Sequence, residues 1–511
     1  VNAQKYLYLS SGIVSICGIV FQVLYGAAGS YLFGDSVLYY CITIGLFMMA
    51  MGIGAALSEK LKNWLVTRFV QAEYLIALVG GFSVFGLFFF TAYFDDGVAQ
   101  IYLYTVISLT GFLTGLELPI LIRRVQEIRE DISKSTARVL FFDYAGSLIG
   151  SVGFALVLRP LLGLINTAFF IAMINAIVAL FITLRFRKEM SRPKVHQAAG
   201  FLILLLLVAG FLFGEKYASV FEQKSYADPI VYTEETKYQK IILTKEPGDV
   251  RLFLNGQLQF AESDEFRYHE ALVHIPMALA DQTRSVLILG GGDGLAVREV
   301  LKHEDVEQIT LVDLDPAMTD LANTNHELLR LNEGSLKDSR VQVIHEDAFQ
   351  YLRDSKELYD VILGDLPDPN DEGLNKLYTK EFYSLVRNHL SPGGKVSIQS
   401  TSPVFATKVY WTINKTVQAT GLETANYHLD VPSFGNWGFT LASREPISID
   451  KLGFDGLDLK FLNEEVAPSL FEFGNDTDEV IEEKGKTFDI PVNSLNRPNL
   501  IQLYQEAWEN Y

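Results

Sequence analysis

The sequence predicts two architectures in one chain: a multi-span α-helical membrane domain, then a doubly wound, mostly parallel α/β sheet. Three observations carry this. Long apolar stretches crowd the first 215 residues, strands and helices alternate from residue 285 onward, and a run of glycines joins the first of those strands to its helix. The 511 residues and net charge of −19 allow several domains. The acidic residues gather in the second half, which argues against a nucleic-acid partner and suits a cationic ligand.

About seven stretches approach the roughly 20 residues that cross a bilayer as a helix. They lie near 7–31, 37–58, 69–94, 98–122, 139–159, 163–184 and 198–214. Small-residue pairs, Gly111 with Gly115 and Gly146 with Gly150, permit close helix packing. More spans follow the first stretch, so it does not read as a signal peptide. Val stands first instead of Met, consistent with a trimmed start. Lys60, Lys62 and Arg68 follow the second span. Arg123, Arg124, Arg129, Lys134 and Arg138 follow the fourth, and Arg185, Arg187, Lys188, Arg192 and Lys194 the sixth. Positive loops stay cytoplasmic, so the N-terminus is expected inside, and seven spans put the second half outside. An even count reverses that, and the Arg159–Pro160 break is the weak point of the count. Glu117 and Asp143 read as solvated or paired residues at the membrane interface, near Arg123 and Arg138. The rival reading puts them on a cation path inside the bundle. Cys17 and Cys41 show no metal spacing.

The expected domains are 1–215 in the membrane, a small β-rich subdomain with a linking helix at 216–280, the α/β sheet at 281–446, and an acidic extension at 447–511. In the subdomain Lys237–Leu243 and Val250–Leu254 alternate, and Asn255–Gly256 marks a hairpin turn. A helix is expected over 264–280. The sheet pattern runs strand 285–289, helix 296–301, strand 308–313, helix 316–329, then strands 341–344, 361–364 and 395–399.

Gly290-Gly-Gly-Asp-Gly294 follows an apolar strand and opens a helix, where glycines allow a tight turn and close approach to a nucleoside. Asp313 ends the next strand, where an acid accepts hydrogen bonds from ribose hydroxyls. This Rossmann-like pattern admits dinucleotide dehydrogenases and S-adenosylmethionine methyltransferases. Asp293 within the loop narrows the choice, because its carboxylate repels the α-carboxylate of S-adenosylmethionine and attracts the bare amine of the decarboxylated form. Asp347 follows the third strand, placed to accept from an adenine amino group. Asp365 and Asp368 follow the fourth, at the carboxyl edge of the sheet where open α/β folds bind ligands. Two acids there can hold a diamine and deprotonate its attacking nitrogen. Asp315 and Asp371 read as turn or cap residues.

Four motifs in order, Glu262-Ser-Asp-Glu-Phe-Arg-Tyr-His-Glu270, Leu289–Gly294, Tyr359–Pro369 and Leu377-Tyr-Thr-Lys-Glu-Phe-Tyr383, resemble the polyamine aminopropyltransferase (spermidine synthase) family over roughly 225–445, and the spans resemble its membrane-bound branch. The resemblance implies an S-adenosylmethionine-methyltransferase-like catalytic fold. It also implies an aminopropyl transfer from decarboxylated S-adenosylmethionine to an amine, putrescine first among acceptors, with no further cofactor and no metal. Asp365 then matches the catalytic base, assisted by Tyr268, and Asp368 the acid that holds the acceptor. Gln239, Gly290, Gly292, Asp293, Asp313, Asp347 and Ala348 match the donor site, and His269 lines the polyamine channel with Tyr268. A homodimer or tetramer in the plasma membrane is implied as well, with a polyamine and the lipid bilayer as partners. Since the donor is made in the cytoplasm, the side given by seven spans conflicts with the chemistry.

The sequence departs from the family pattern on the acceptor side. Leu366-Pro367 replaces small hydroxyl residues, the segment after Pro369 is longer and lacks a second proline, and Phe434 stands where an acceptor-contacting tyrosine is common. Two rivals remain: a methyltransferase on the same sheet, and a membrane polyamine sensor or transporter whose second half only binds.

Overall fold

The computed structural model describes residues 2–34, 36–128, 132–483 and 486–508. Arg129, among the loop cations above, lies outside them. Two compact units emerge, Val1–Ala227 and Asp228–Tyr511, so the boundary expected at 215/216 falls later. The reason is local: the last apolar helix carries on to Gln223.

The first unit holds α1 (Asn2–Phe33), α2 (Ser36–Leu57), α3 (Leu65–Tyr93), α4 (Asp96–Ile128), α5 (Ile132–Gly153), α6 (Arg159–Arg185) and α7 (Pro193–Gln223). Six apolar helical runs among the described residues are long enough to cross a bilayer. One of them, Ala137–Arg185, has 49 residues. At 1.5 Å per residue it extends about 74 Å, over twice the thickness of a ~30 Å hydrocarbon core. A single crossing cannot contain it. The break lies at Gly163 (φ 64°), a backbone region open chiefly to glycine, and not at Arg159–Pro160, where the helix continues. The arms differ in their main partners, α5 packing on α1 and α6 chiefly on α3 and α7, though α6 also meets α1.

The small-residue pairs do what their spacing suggested. A Cβ on Gly111 would stand 2.6 Å from the Phe47 carbonyl oxygen, and one on Gly115 2.0 Å from that of Met51, so α4 lies against the backbone of α2. Gly146 and Gly150 bring α5 equally close to Gly12 and Ile16 of α1.

Glu117 is not solvated. It is 5% exposed inside the bundle, facing Glu73 of α3, which is fully buried. Arg123 offers it nothing, because the guanidinium is spent on the carbonyls of Ser58, Leu61 and Pro119. Asp143 is half-buried, and its carbonyl accepts from Ser15 at 2.6 Å.

The second unit opens with an antiparallel sheet, β1 (Ile230–Glu235), β2 (Lys240–Glu246), β3 (Asp249–Leu254) and β4 (Gln257–Ala261). β2 begins later than expected because Thr236 folds 236–239 into a turn, its hydroxyl oxygen accepting from the N–H groups of Tyr238 and Gln239. The helix Glu265–Leu279 then leads to a seven-stranded sheet. Its strands are β5 (Ser285–Gly290), β6 (Gln308–Asp313), β7 (Val341–His345), β8 (Tyr359–Asp365), β9 (Leu390–Gln399), β10 (Glu423–Val431) and β11 (Gly435–Ser443), in the order β10-β11-β9-β8-β5-β6-β7. Five strands are parallel, and the β10–β11 hairpin closes one edge antiparallel. The helix expected over 316–329 splits at Asn325, whose side chain caps a second helix by accepting from the N–H groups of Glu327 and Leu328.

The acidic extension is part of the core. Glu270 accepts three main-chain N–H bonds from Lys460, Phe461 and Leu462 at 2.7–2.9 Å. Trp411 donates its indole N–H to the Thr477 carbonyl, and Asn493 donates to Asn375 and to the Tyr378 carbonyl. Phe454, Leu462 and Leu470 pack in one apolar cluster of the α/β unit, Leu500 and Tyr504 in another.

Candidate active site

Parallel strands end together, and the ends of β6 and β8 with the loop after β5 bring three acids to one edge. The register sets Gly290 of β5 beside Asp365 of β8, with Asp313 at the end of β6 and Asp293 in the glycine loop. The glycines are sterically required. A Cβ on Gly290 (φ 82°) would lie 2.0 Å from the Asp365 carbonyl oxygen, and one on Gly292 2.5 Å from Asp313 Oδ2.

Asp313 clamps the loop: Oδ2 accepts the Gly292 N–H at 3.0 Å and Oδ1 the Asp315 N–H at 2.9 Å. Burial raises its carboxyl to about 6, opposed by those N–H groups. Gln239 comes to this end of the sheet because Thr236 donates to Asp315 Oδ2 at 2.7 Å. Asp315 also caps its helix, and Asp371 caps another, as expected of both. Asp293 accepts from the Leu295 N–H at 2.8 Å, and burial again raises its carboxyl, opposed by His269.

Asp347 stands apart. Oδ1 accepts from the Gln350 N–H at the start of the helix Ala348–Asp354, and Oδ2 is held by Lys376 at 2.5 Å. Among the expected donor-site acids it alone pairs with a cation among the described residues. Ala348, beside it, is buried.

Tyr268 donates to Asp365 Oδ1 at 2.7 Å, while Oδ2 faces Gly291. Burial and the Asp365 carboxylate push the Tyr268 phenol well up, so it stays protonated and acts as a donor. His269 Nδ1 lies 2.8 Å from Glu265 Oε2, and Arg298 holds the same carboxylate. Burial opposes a charged ring, but Glu265 outweighs it and His269 rises to about 9. Sequence reasoning missed Glu265 and Arg298. Spacing held the clue to the first, since Glu265 lies four residues before His269 on one helix face.

Asp368 is ringed by neutral donors. Gln399 Nε2 reaches Oδ1 at 3.0 Å, and the hydroxyls of Thr401 and Tyr504 each reach Oδ2 at 3.0 Å. Burial raises its carboxyl against these three bonds. Gln399 ends β9, so the carboxyl-edge rule could have found it; nothing in the local sequence marks Tyr504. Thr401 sits at φ 61°, a left-handed conformation uncommon for a non-glycine residue, held by hydrogen bonds with Gly438 and Gln399. Leu366 replaces a polar residue because its side chain joins the apolar core, while its carbonyl accepts from Gln399 at 2.6 Å. Phe434 packs edge-on against Tyr268 and tilted on Trp437. Asp264 fixes that turn by accepting from the Ser433 N–H and hydroxyl.

Residues 265–451 match the family model of the spermine/spermidine synthase domain. A polyamine aminopropyltransferase of Oceanobacillus iheyensis is 54% identical over 511 residues, covering 100% of this chain and 99% of its relative. One from Leptospira interrogans is 40% identical, covering 99% of each. Among solved structures, a spermidine synthase in complex with the transition-state analogue AdoDATO is 30% identical over 48% of this chain and 86% of that one, with a TM-score of 0.46. With relatives this similar from end to end, the chain belongs to the polyamine aminopropyltransferase family.

Proposed function

We propose that this enzyme transfers the aminopropyl group of decarboxylated S-adenosylmethionine to an amine, putrescine before others, and releases 5′-methylthioadenosine. The observation that carries the reading is the Tyr268–Asp365 pair set beside the glycine loop, with Asp293 and Asp368 unpaired by any cation among the described residues.

Asp365 takes a proton from the acceptor ammonium at Oδ2. The freed nitrogen lone pair attacks the methylene next to the sulfonium, the N–C bond forms as the C–S bond breaks, and the sulfur keeps the bonding pair as a neutral thioether. Asp293 holds the donor's ammonium, Asp313 the ribose, and Asp347 with Ala348 the adenine. Gln239 borders the nucleoside, and His269, Phe434 and Asp368 border the acceptor. Alignment of two bound substrates and ordered carboxylates account for most of the acceleration. The long apolar helices support a seat in a bilayer, taken as the plasma membrane, and a homodimer or tetramer is the expected assembly.

The test is methylthioadenosine release by detergent-purified protein given decarboxylated S-adenosylmethionine with putrescine, spermidine or longer amines. Release that depends on an amine supports the assignment. Methyl transfer from S-adenosylmethionine, or no release with any amine, defeats it.

A further inference from the structure

The half-buried carboxylate of Asp368 gains one of its three donors from outside the segment that matches the family domain. That segment ends at residue 451, whereas Tyr504 sits on the helix Asn499–Trp508. The placement is built, not incidental. Asn493, fully buried, ties the chain just before this helix to Asn375 and Tyr378, and its carbonyl accepts the Lys380 N–H. Leu500 is fully buried in the apolar cluster. On the outer side Trp508 packs on Tyr504 and Phe405, with ring centroids 5.9 Å from each. Tyr504 is 8% exposed, and burial with the nearby carboxylate holds its phenol far above the usual range. It therefore remains a donor at any working pH.

We propose that Tyr504 ends the acceptor channel and makes the enzyme selective for short α,ω-diamines. This rests on the aminopropyltransferase reading above. The second ammonium of a diamine docks on Asp368, whose charge is met by neutral donors only among the described residues. The phenol of Tyr504 fills the space beside Oδ2, so an amine that continues past Asp368 meets the ring backed by Trp508. The hydroxyl and the ring thus have separable tasks: the first orders Asp368, the second limits acceptor length.

Two variants of the full-length enzyme separate them. Tyr504→Phe keeps the ring, and is expected to raise the KM for putrescine about tenfold. Its donor KM and preference for putrescine over spermidine should remain those of the wild type. Tyr504→Ala opens the channel, and is expected to raise the spermidine-to-putrescine ratio of kcat/KM by tenfold or more. If both variants keep the wild-type acceptor KM and ratio, the proposal is overturned and Tyr504 only anchors the tail. If the wild type itself releases no methylthioadenosine with any amine, the functional reading fails and this one with it. Those two failures are distinguishable in the same assay.

Discussion

Asp365→Asn is the perturbation that most directly tests the chemistry. The amide preserves shape and can still accept from Tyr268, which donates at 2.7 Å to Oδ1. It removes the proton-accepting capacity of Oδ2, the oxygen facing the glycine loop. General-base catalysis contributes about 10²–10⁴ in rate, or about 3–5 kcal/mol of barrier, so single-turnover methylthioadenosine release should slow by that factor. Tyr268→Phe deletes one hydrogen bond to a charged group, about 1.5–3 kcal/mol, and should cost about 10–100-fold. Because the hydroxyl acts through Asp365, the double variant should be no slower than Asp365→Asn alone. Calorimetric titration with decarboxylated S-adenosylmethionine should show donor affinity preserved, since Asp293 and Asp313 are untouched. A single variant within tenfold of wild type would refute the base assignment. Multiplying effects in the double variant would refute the coupling.

Three further outcomes follow from the same structure. If Asp293 and Asp313 both bind the donor as carboxylates, with burial raising each to about 6, affinity measured by calorimetry should be level well above pH 7 and fall towards a hundredfold per pH unit well below 6, and a flat profile from pH 7 to 5 would count against both roles. His269 is raised from 6.5 to about 9 by Glu265, so its stabilisation is complete below 6.5 and lost as pH climbs through 9; the thermal midpoint should drop over that window by the equivalent of up to about 3 kcal/mol, and Glu265→Gln should flatten the drop. Glu73 is fully buried among the apolar helices, where its carboxyl faces Glu117 and Asn175. Glu73→Gln supplies a fixed amide donor to Glu117 and excludes a charge at this apolar site, and should raise the thermal midpoint by the equivalent of about 1–3 kcal/mol, whereas a decrease would point to a cation held there.

What was legible in the sequence was whatever local pattern encodes. The strands from 285 to 399 announce themselves as apolar runs, and the acids at their ends follow from the rule that open sheets bind at the carboxyl edge. The glycine loop was legible because its spacing reports a backbone demand, now visible as the near-contact of Gly292 with Asp313. What stayed hidden depends on distant chain. Tyr504 lies 136 residues from Asp368, and Glu270 holds main-chain N–H groups some 190 residues on. No periodicity reports such pairings. The Gly163 break was misplaced for a different reason: Pro160 is the usual mark of a helix boundary, yet at the first turn of a helix proline is tolerated, and the glycine does the breaking.

The distribution of compensating charge separates the acids that bind from the acids that build. Glu265 is met by Arg298 and His269, and Glu299 by Arg298, His274 and Lys302, so both are neutralised within the fold. Among the described residues Asp293, Asp313, Asp365 and Asp368 form no ion pair and are held by N–H, hydroxyl and amide donors, with the His269 ring, already paired to Glu265, acting on Asp293 and Asp365 from further off. Partly buried carboxylates without an ion pair destabilise the empty enzyme, and a cationic ligand offsets that cost on binding. On the proposed roles this suits a cationic donor and a cationic acceptor at Asp293, Asp365 and Asp368, while Asp313 spends its charge on the glycine loop and would meet uncharged ribose hydroxyls, and adenine is a second uncharged group. Its amino group carries no charge, and Asp347, the acid assigned to it, is the one already neutralised by a lysine.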